Sequence, residues 1–342
     1  MKAIFELLID NTKIFRKEFI SFQSSLDSIV HELSVDIYDK DFVCKLGSTC
    51  EARIDYTENK VQFFSGYITT LKRSYSDSGT LTSITCESKC VDLVESSALL
   101  KRSFVKKTFI DLLKVILDPF GIQLESSISN NPVIAKFNFQ TNETAFEAIE
   151  RLCRFYAVLP KQLPNGNLSI ENSSESSTSV YNFYIGQKGV LSIDYTESSS
   201  DINSEYIGLS QYSGQGKAWT NSVVSTEAKA YDVSLSRYRP KLFIAEGRLA
   251  RKTLRERVYW EAQVRNGRGK SLQIVSTIVF NNNSFWKLGD LVTFTDQQNR
   301  HSLWILSELD LSQGDQGTQT RLTFVPPGTY SANPSEQVSL TK

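Results

Sequence analysis

Two stretches far apart in the chain are written to one plan, and this limits the fold more than any other feature. Lys45-Leu46-Gly47-Ser48 leads into a strand-like run, a polar turn and then Phe64-Ser65-Gly66-Tyr67-Ile68-Thr69-Thr70-Leu71. A Gly-containing turn separates these from Thr80-Leu81-Thr82-Ser83-Ile84-Thr85. Lys287-Leu288-Gly289-Asp290 leads in the same way into Leu291-Val292-Thr293-Phe294 and the turn Asp296-Gln297-Gln298-Asn299. Residues 302–309, a Gly-containing turn over 312–317 and residues 318–325 follow. Both stretches read turn, strand, turn, strand, turn, strand. Any two three-stranded meanders share that outline, but the matching Lys-Leu-Gly lead-in and similar spacing favour two related β-domains. Three copies of such a chain, closed into a ring, would present six similar modules.

The 342 residues are enough for two or three domains, and one continuous core is not expected. Up to about residue 98, strand-like runs at 4–9, 34–38, 50–56, 61–73 and 81–87 are parted by turns, as in a small barrel. Between 101 and 170 the apolar period changes. Thr108-x-x-Asp111 opens a helix whose stripe is Phe109, Leu112, Leu113, Ile116 and Leu117, and Pro119 and Gly121 end it. Thr144-x-x-Glu147 opens a second helix with Phe146, Ile149, Leu152 and Cys153 inward. Short strands follow each helix. The expected fold is mainly β with α+β insertions: two related tube-like β-barrel domains, a small helical α+β domain and an inserted segment. The boundaries are 1–98 for the first barrel and 99–178 for the α+β domain. The second barrel takes 179–212 and 271–330, the insertion 213–270 and the C-terminal tail 331–342.

Residues 171–226 hold fourteen serines, and loops are expected near 171–178 and 212–217. These are plain surface loops, or loops such as 210–219 that order against a neighbour. A helix is expected over 243–260. Eleven Lys or Arg lie between 237 and 270, opposed by Glu246, Glu256 and Glu261. Such a segment is a solvated helix face, a contact with another subunit or protein, or a nucleic-acid contact. As a contact, it would use Arg248, Arg251, Lys252, Arg255, Arg268 and Lys270. Tight phosphate binding is the weakest of the three.

Formal net charge is zero, so nothing global points to nucleic acid. No apolar run approaches the ~20 residues of a membrane helix. The start, Met1-Lys2-Ala3-Ile4-Phe5-Glu6, reads as a strand, so synthesis in the host cytoplasm and no membrane insertion are expected. The cysteines, Cys44, Cys50, Cys86, Cys90 and Cys153, fit no metal-ribbon spacing and read as buried reduced thiols. His31 and His301 are far apart, one before an apolar strand and one in a hairpin turn. No metalloprotease or nucleophile-elbow motif occurs. Asn266-Gly267-Arg268-Gly269-Lys270 lacks the first Gly and the spacing of a phosphate-binding loop and reads as a basic hairpin turn. Asp39 and Asp41 follow no glycosidase pattern. No catalytic residue, cofactor or metal is expected.

The order of short motifs resembles the baseplate hub proteins of Mu-like contractile-tailed phages, within the wider hub family that includes type VI secretion spike hubs. Phe64-Ser65-Gly66-Tyr67-Ile68 and Cys86-Glu87-Ser88-Lys89-Cys90-Val91-Asp92-Leu93 resemble the end of the first barrel. Pro119-Phe120-Gly121-Ile122 and Glu143-Thr144-Ala145-Phe146-Glu147-Ala148-Ile149 resemble the helical domain. Arg237-Tyr238-Arg239-Pro240 with Ala245-Glu246-Gly247 and Trp260-Glu261 resembles the insertion, and Gly317-Thr318-Gln319-Thr320-Arg321-Leu322 the last strand. Cys86 and Cys90 depart from the small or basic residues expected there, which touches packing. The resemblance implies a non-enzymatic virion protein of the tail baseplate. It would be a homotrimeric ring between a sixfold tail tube protein and a threefold central spike protein, with other baseplate proteins around it. DNA would pass the lumen without specific binding. A secreted β-rich binding module and a tail-associated cell-wall hydrolase are the competing readings.

Overall fold

The computed structural model describes residues 5–331 except 16, 57–58, 78, 99–102, 127, 129–130, 157, 173–177, 214–222, 245–250, 282–283 and 316. The first module comprises β1 (Phe5–Ile9), β2 (Thr12–Ile14), β3 (Lys17–Ser25), β4 (Glu32–Tyr38), β5 (Thr49–Tyr56), β6 (Asn59–Ser76) and β7 (Gly79–Ser88). Its order is β3-β4-β7-β6-β5-β1-β2 and every pairing is antiparallel. Period-two burial sets the register. Leu33, Val35 and Ile37 point inward from β4, opposite Cys86, Ile84 and Thr82 of β7. β2 and β3 are strands beyond those expected from sequence. In β3 the inward residues Ile20, Phe22 and Ser24 alternate with polar ones. The short helix α1 (Val91–Glu95) leaves the module.

A separate core follows. It is built by β8 (Ser103–Thr108), α2 (Phe109–Leu117), β9 (Leu124–Ser126), β10 (Val133–Asn138), α3 (Ala145–Phe155), β11 (Val158–Gln162) and β12 (Leu168–Asn172). The expected helix stripe, Phe109, Leu112, Leu113, Ile116 and Leu117, is fully buried. Thr144 Oγ1 accepts the Glu147 N–H at 3.1 Å, and Glu147 Oε2 accepts the Thr144 N–H at 2.8 Å. This reciprocal pair satisfies two amides at the start of α3.

The chain then runs through β13 (Tyr181–Tyr184) and β14 (Val190–Glu197) before an insertion. The insertion holds β15 (Glu205–Ser213), β16 (Val223–Tyr231), β17 (Pro240–Ile244) and α4 (Arg251–Arg268). Its core is Tyr206, Ala228, Ala230, Leu254 and Val258. Three expectations are corrected here. Residues 205–212 pair with β16 and β17, not with the second barrel. Phe243 lies in β17, because parallel pairing with β15 extends the chain to Ile244. Residues 266–268 are the last turn of α4 and only Lys270 begins a strand, so the basic hairpin turn is a helix C-terminus. The remaining strands are β18 (Lys270–Ser276), β19 (Phe280–Asn281), β20 (Ser284–Phe285), β21 (Leu291–Thr295), β22 (His301–Gly314) and β23 (Gly317–Val325).

The two modules match at the lead-in turn, the bulge and the hairpin, while their outer strands differ: β1 runs antiparallel to β5 and β13 parallel to β21. The Gly47 N–H donates to the Ile68 carbonyl at 2.8 Å, and the Ile68 N–H to Ser48 at 2.9 Å. The Gly289 N–H donates to Leu306 at 2.8 Å, and the Leu306 N–H to Asp290 at 2.9 Å. Both lead-in glycines need positive φ, 81° and 91°, which a side chain would disfavour. Just beyond, each ladder slips by one residue, between Ile68 and Thr70 and between Leu306 and Glu308. The bulged residues are Thr69 and Ser307. Each hydroxyl donates across the ladder, to Thr85 at 3.4 Å and Thr323 at 2.9 Å. The hairpins then close with Ser76 facing Gly79 and Gly314 facing Gly317.

The modules are not separate bodies. The second half of β22 pairs with β3, from Glu308 opposite Ser25 to Gln313 opposite Ile20. Among the described residues, thirteen strands thereby share one sheet. One apolar cluster draws from both modules, with Phe22 and Phe63 of the first against Phe285, Leu309 and Leu311 of the second.

Candidate assembly surfaces

The basic residues of the insertion scatter. Lys252 and Arg255 are exposed on α4, three residues apart and so on one face. Arg251 begins the helix, and Arg248 lies outside the described residues. Arg268 sits 3.9 Å from Asp27, both exposed, and Lys270 sits 3.7 Å from Glu197. Several neighbours serve the fold. Arg239 donates to the carbonyls of Ser199, at 2.7 Å, and Ser200. Arg257 stacks on Trp260 at 4.3 Å, and Arg265 pairs with Glu261 at 2.7 Å. The expected contact set is therefore not one patch: Lys252 and Arg255 stand together, while Arg268 and Lys270 are tied to acids.

His31 is buried edge-on to Phe22, and burial holds its imidazole down to about 4. His301 is the first residue of β22 rather than a turn residue, paired with Thr295, whose hydroxyl meets His301 Nδ1 at 3.0 Å. All five cysteines are buried and unbridged, and burial pushes the Cys90 thiol up to about 12. Asp39 accepts the Asp41 N–H at 3.0 Å within a turn. Among the described residues the two buried carboxylates are paired, Glu6 with Lys13 and Lys60 and Glu143 with Arg151, and the half-buried Asp290 accepts from Asn281 and the Lys287 N–H. Among the described residues no three His, Cys, Asp or Glu cluster as a metal site would need, and no helix is long and apolar enough to cross a membrane.

What the fold does present is strand edge. β14 ends the sheet, bonded only to β18 among the described residues. It exposes Leu191 at 57% and Tyr195 at 54%. β6 is paired with β5 only as far as Tyr67, so its second half, from Thr70 to Tyr75, has β7 on one side and no described strand on the other. Tyr75 is 75% exposed. Open edges carrying exposed apolar groups are pairing templates. Their charged residues are Lys72 and Arg73 on β6 and Asp194 and Glu197 on β14, and none of these belongs to the expected contact set.

Residues 90–172, the separate α+β core with α1 before it, match the family described as "Baseplate hub protein gp44-like, second domain". The chain carries a gp44-like baseplate hub domain. Over 282 residues it is 24% identical to the baseplate hub protein gp44 of Escherichia phage Mu, covering 77% of this chain and 72% of that protein. The fold of a 43 kDa tail protein from the MuSo2 prophage of Shewanella oneidensis is similar, with a TM-score of 0.80, 20% identity and coverage of 96% and 99% of the two chains. A tail protein from Neisseria meningitidis MC58 is similar too, with a TM-score of 0.80, 17% identity and coverage of 98% and 99%. Residues 90–172 are thus similar to the second domain of gp44-like baseplate hub proteins, and the fold of the chain is similar to that of two solved tail proteins.

Proposed function

We propose that this chain is the hub of a contractile tail baseplate and works as a homotrimeric ring. The observation that carries the reading is the duplicated module, matched down to its lead-in glycine, bulge and hairpin closure. Two such modules in each of three chains give a near-sixfold ring on a threefold frame. One face would then meet a sixfold tail tube, and the other would hold a threefold central spike. Other baseplate proteins would surround the ring, and DNA would pass the lumen without specific binding. In this reading the protein is a rigid adaptor of the virion tail and has no active site. The α+β core at about 99–178 and the insertion would sit outside a wall made by the two barrel-like modules. Lys252 and Arg255 would be the cationic part of a subunit or spike contact.

Light scattering after size exclusion tests the assembly. The monomer mass is 38.6 kDa. A mass three times that is the expected result, and a strict monomer at high concentration would overturn the ring.

A further inference from the structure

We infer that the seam between neighbouring chains is a backbone strand pair. In it, β6 from Thr70 to Tyr75 of one copy lies antiparallel to residues 193–198 of a second copy. This inference deepens the ring reading and rests on it. The joint inside one chain is the template. There β22, from Glu308 to Gln313, pairs with β3, from Ser25 to Ile20. By the matched ladders, Ile68 corresponds to Leu306 and Cys86 to Phe324, so Thr70 to Tyr75 correspond to Glu308 to Gln313.

The other side of the seam follows in the same way. Leu33 faces Cys86 as Leu272 faces Phe324, and Phe22 faces Leu33 as Tyr195 faces Leu272. β14 is therefore the second module's β3. The half of β22 that is occupied within the chain has an open counterpart on β6, and the occupied β3 has an open counterpart in β14. Carrying the template over puts Thr70 opposite Ser198, Lys72 opposite Thr196, Arg73 opposite Tyr195, Ser74 opposite Asp194 and Tyr75 opposite Ile193.

Side-chain chemistry agrees with that register. Opposed residues share a face, and so do residues offset by two. Lys72 then falls diagonal to Asp194 on one face, and Arg73 diagonal to Glu197 on the other, while exposed Tyr75 gains apolar Ile193. Arg73, Asp194 and Glu197 are charged where the internal joint has Leu311, Ser21 and Ser24, and Lys72 bears the opposite charge to its counterpart Asp310. The alternative of pairing β22 of one copy with β14 of another would set Glu308 and Asp310 beside Asp194 and Glu197. Charge thus favours the order first module, second module, first module around the ring.

Paired cysteines in the full-length chain test this, since its own five thiols are buried. Ser74→Cys with Asp194→Cys, oxidised and run without reductant, is expected to give covalent dimer and trimer. Either substitution alone should give none, and neither should Ser74→Cys with Leu191→Cys, which lies three residues out of register. A particle of trimeric mass with no cross-link, or with equal cross-linking at residue 191, would overturn the seam and leave the ring standing. A strict monomer would overturn both. As a second measurement, Lys72→Glu with Arg73→Glu should weaken trimerisation roughly ten-fold or more with an unchanged β spectrum. Adding Asp194→Lys should restore much of it, and no loss on charge reversal would count against the register.

Discussion

His31 sits where a charge has no place. Its ring is buried beside Phe22, and its backbone is pinned both ways to Ser88: the His31 N–H donates to Ser88 Oγ at 2.8 Å and its carbonyl accepts the Ser88 N–H at 2.9 Å. With the folded imidazole at about 4 and an ordinary value near 6.5, the unfolded chain takes up a proton first as pH falls. Stability from this residue is therefore complete above about pH 6.5, is lost between there and pH 4, and falls no further below. The loss is about 3 kcal/mol. Urea midpoints measured from pH 8 to pH 4 should show the decline, and His31→Phe should flatten it. That His31 precedes an apolar strand was legible in the sequence. Its burial was not, because the covering Phe22 belongs to β3, whose short alternation is weak beside that of β4.

Among the elements, α3 shows what sequence does convey. Thr144 and Glu147 spell a cap by residue type and spacing alone, and both bonds form. Thr144→Ala should cost about 1 kcal/mol in denaturant unfolding, with little change in the denaturant slope. The insertion shows the limit. Ala245, Leu249 and Thr253 resemble a helical stripe that begins at Phe243, yet Phe243 is held in β17 by parallel pairing with β15, over thirty residues earlier. No local pattern encodes a partner that distant. The same geometry makes the insertion separable: Glu197 faces Lys270 directly, and the inserted strands and helix have their own small core. Replacing residues 199–268 by a tight turn should leave the sheet folded and the trimer mass reduced only by the deleted residues. Circular dichroism and light scattering would check this, and loss of the β signal would show that α4 is needed for the sheet.

At the scale of the whole molecule, the candidate surfaces were only partly legible. The duplicated plan was legible in outline, from the shared Lys-Leu-Gly lead-in and the strand and turn spacing, because turn glycines and alternating apolar positions leave a mark in sequence. Which strand edges stay open could not be read, since an edge is defined by the partner it lacks. The basic cluster is not uniform. Arg239, Arg257 and Arg265 are spent on carbonyls, a Trp face and Glu261, while Lys252 and Arg255 stand exposed on one face of α4. Lys252→Glu with Arg255→Glu should weaken capture of the central spike protein at moderate salt and leave the trimer mass unchanged. A change in mass instead would move the pair into the subunit contact.

The β22–β3 joint also bears on how such a wall carries load. Had a flexible linker joined the modules, an outward push from the bore would first take up slack and only then meet resistance. Here six facing residue pairs, Glu308 with Ser25 through Gln313 with Ile20, stand in the load path with Phe22 and Leu311 buried against one another. In the proposed ring the wall would behave as a hoop and not as a string of beads: it would yield little until the joint opened all at once, so the bore would keep its width up to that threshold.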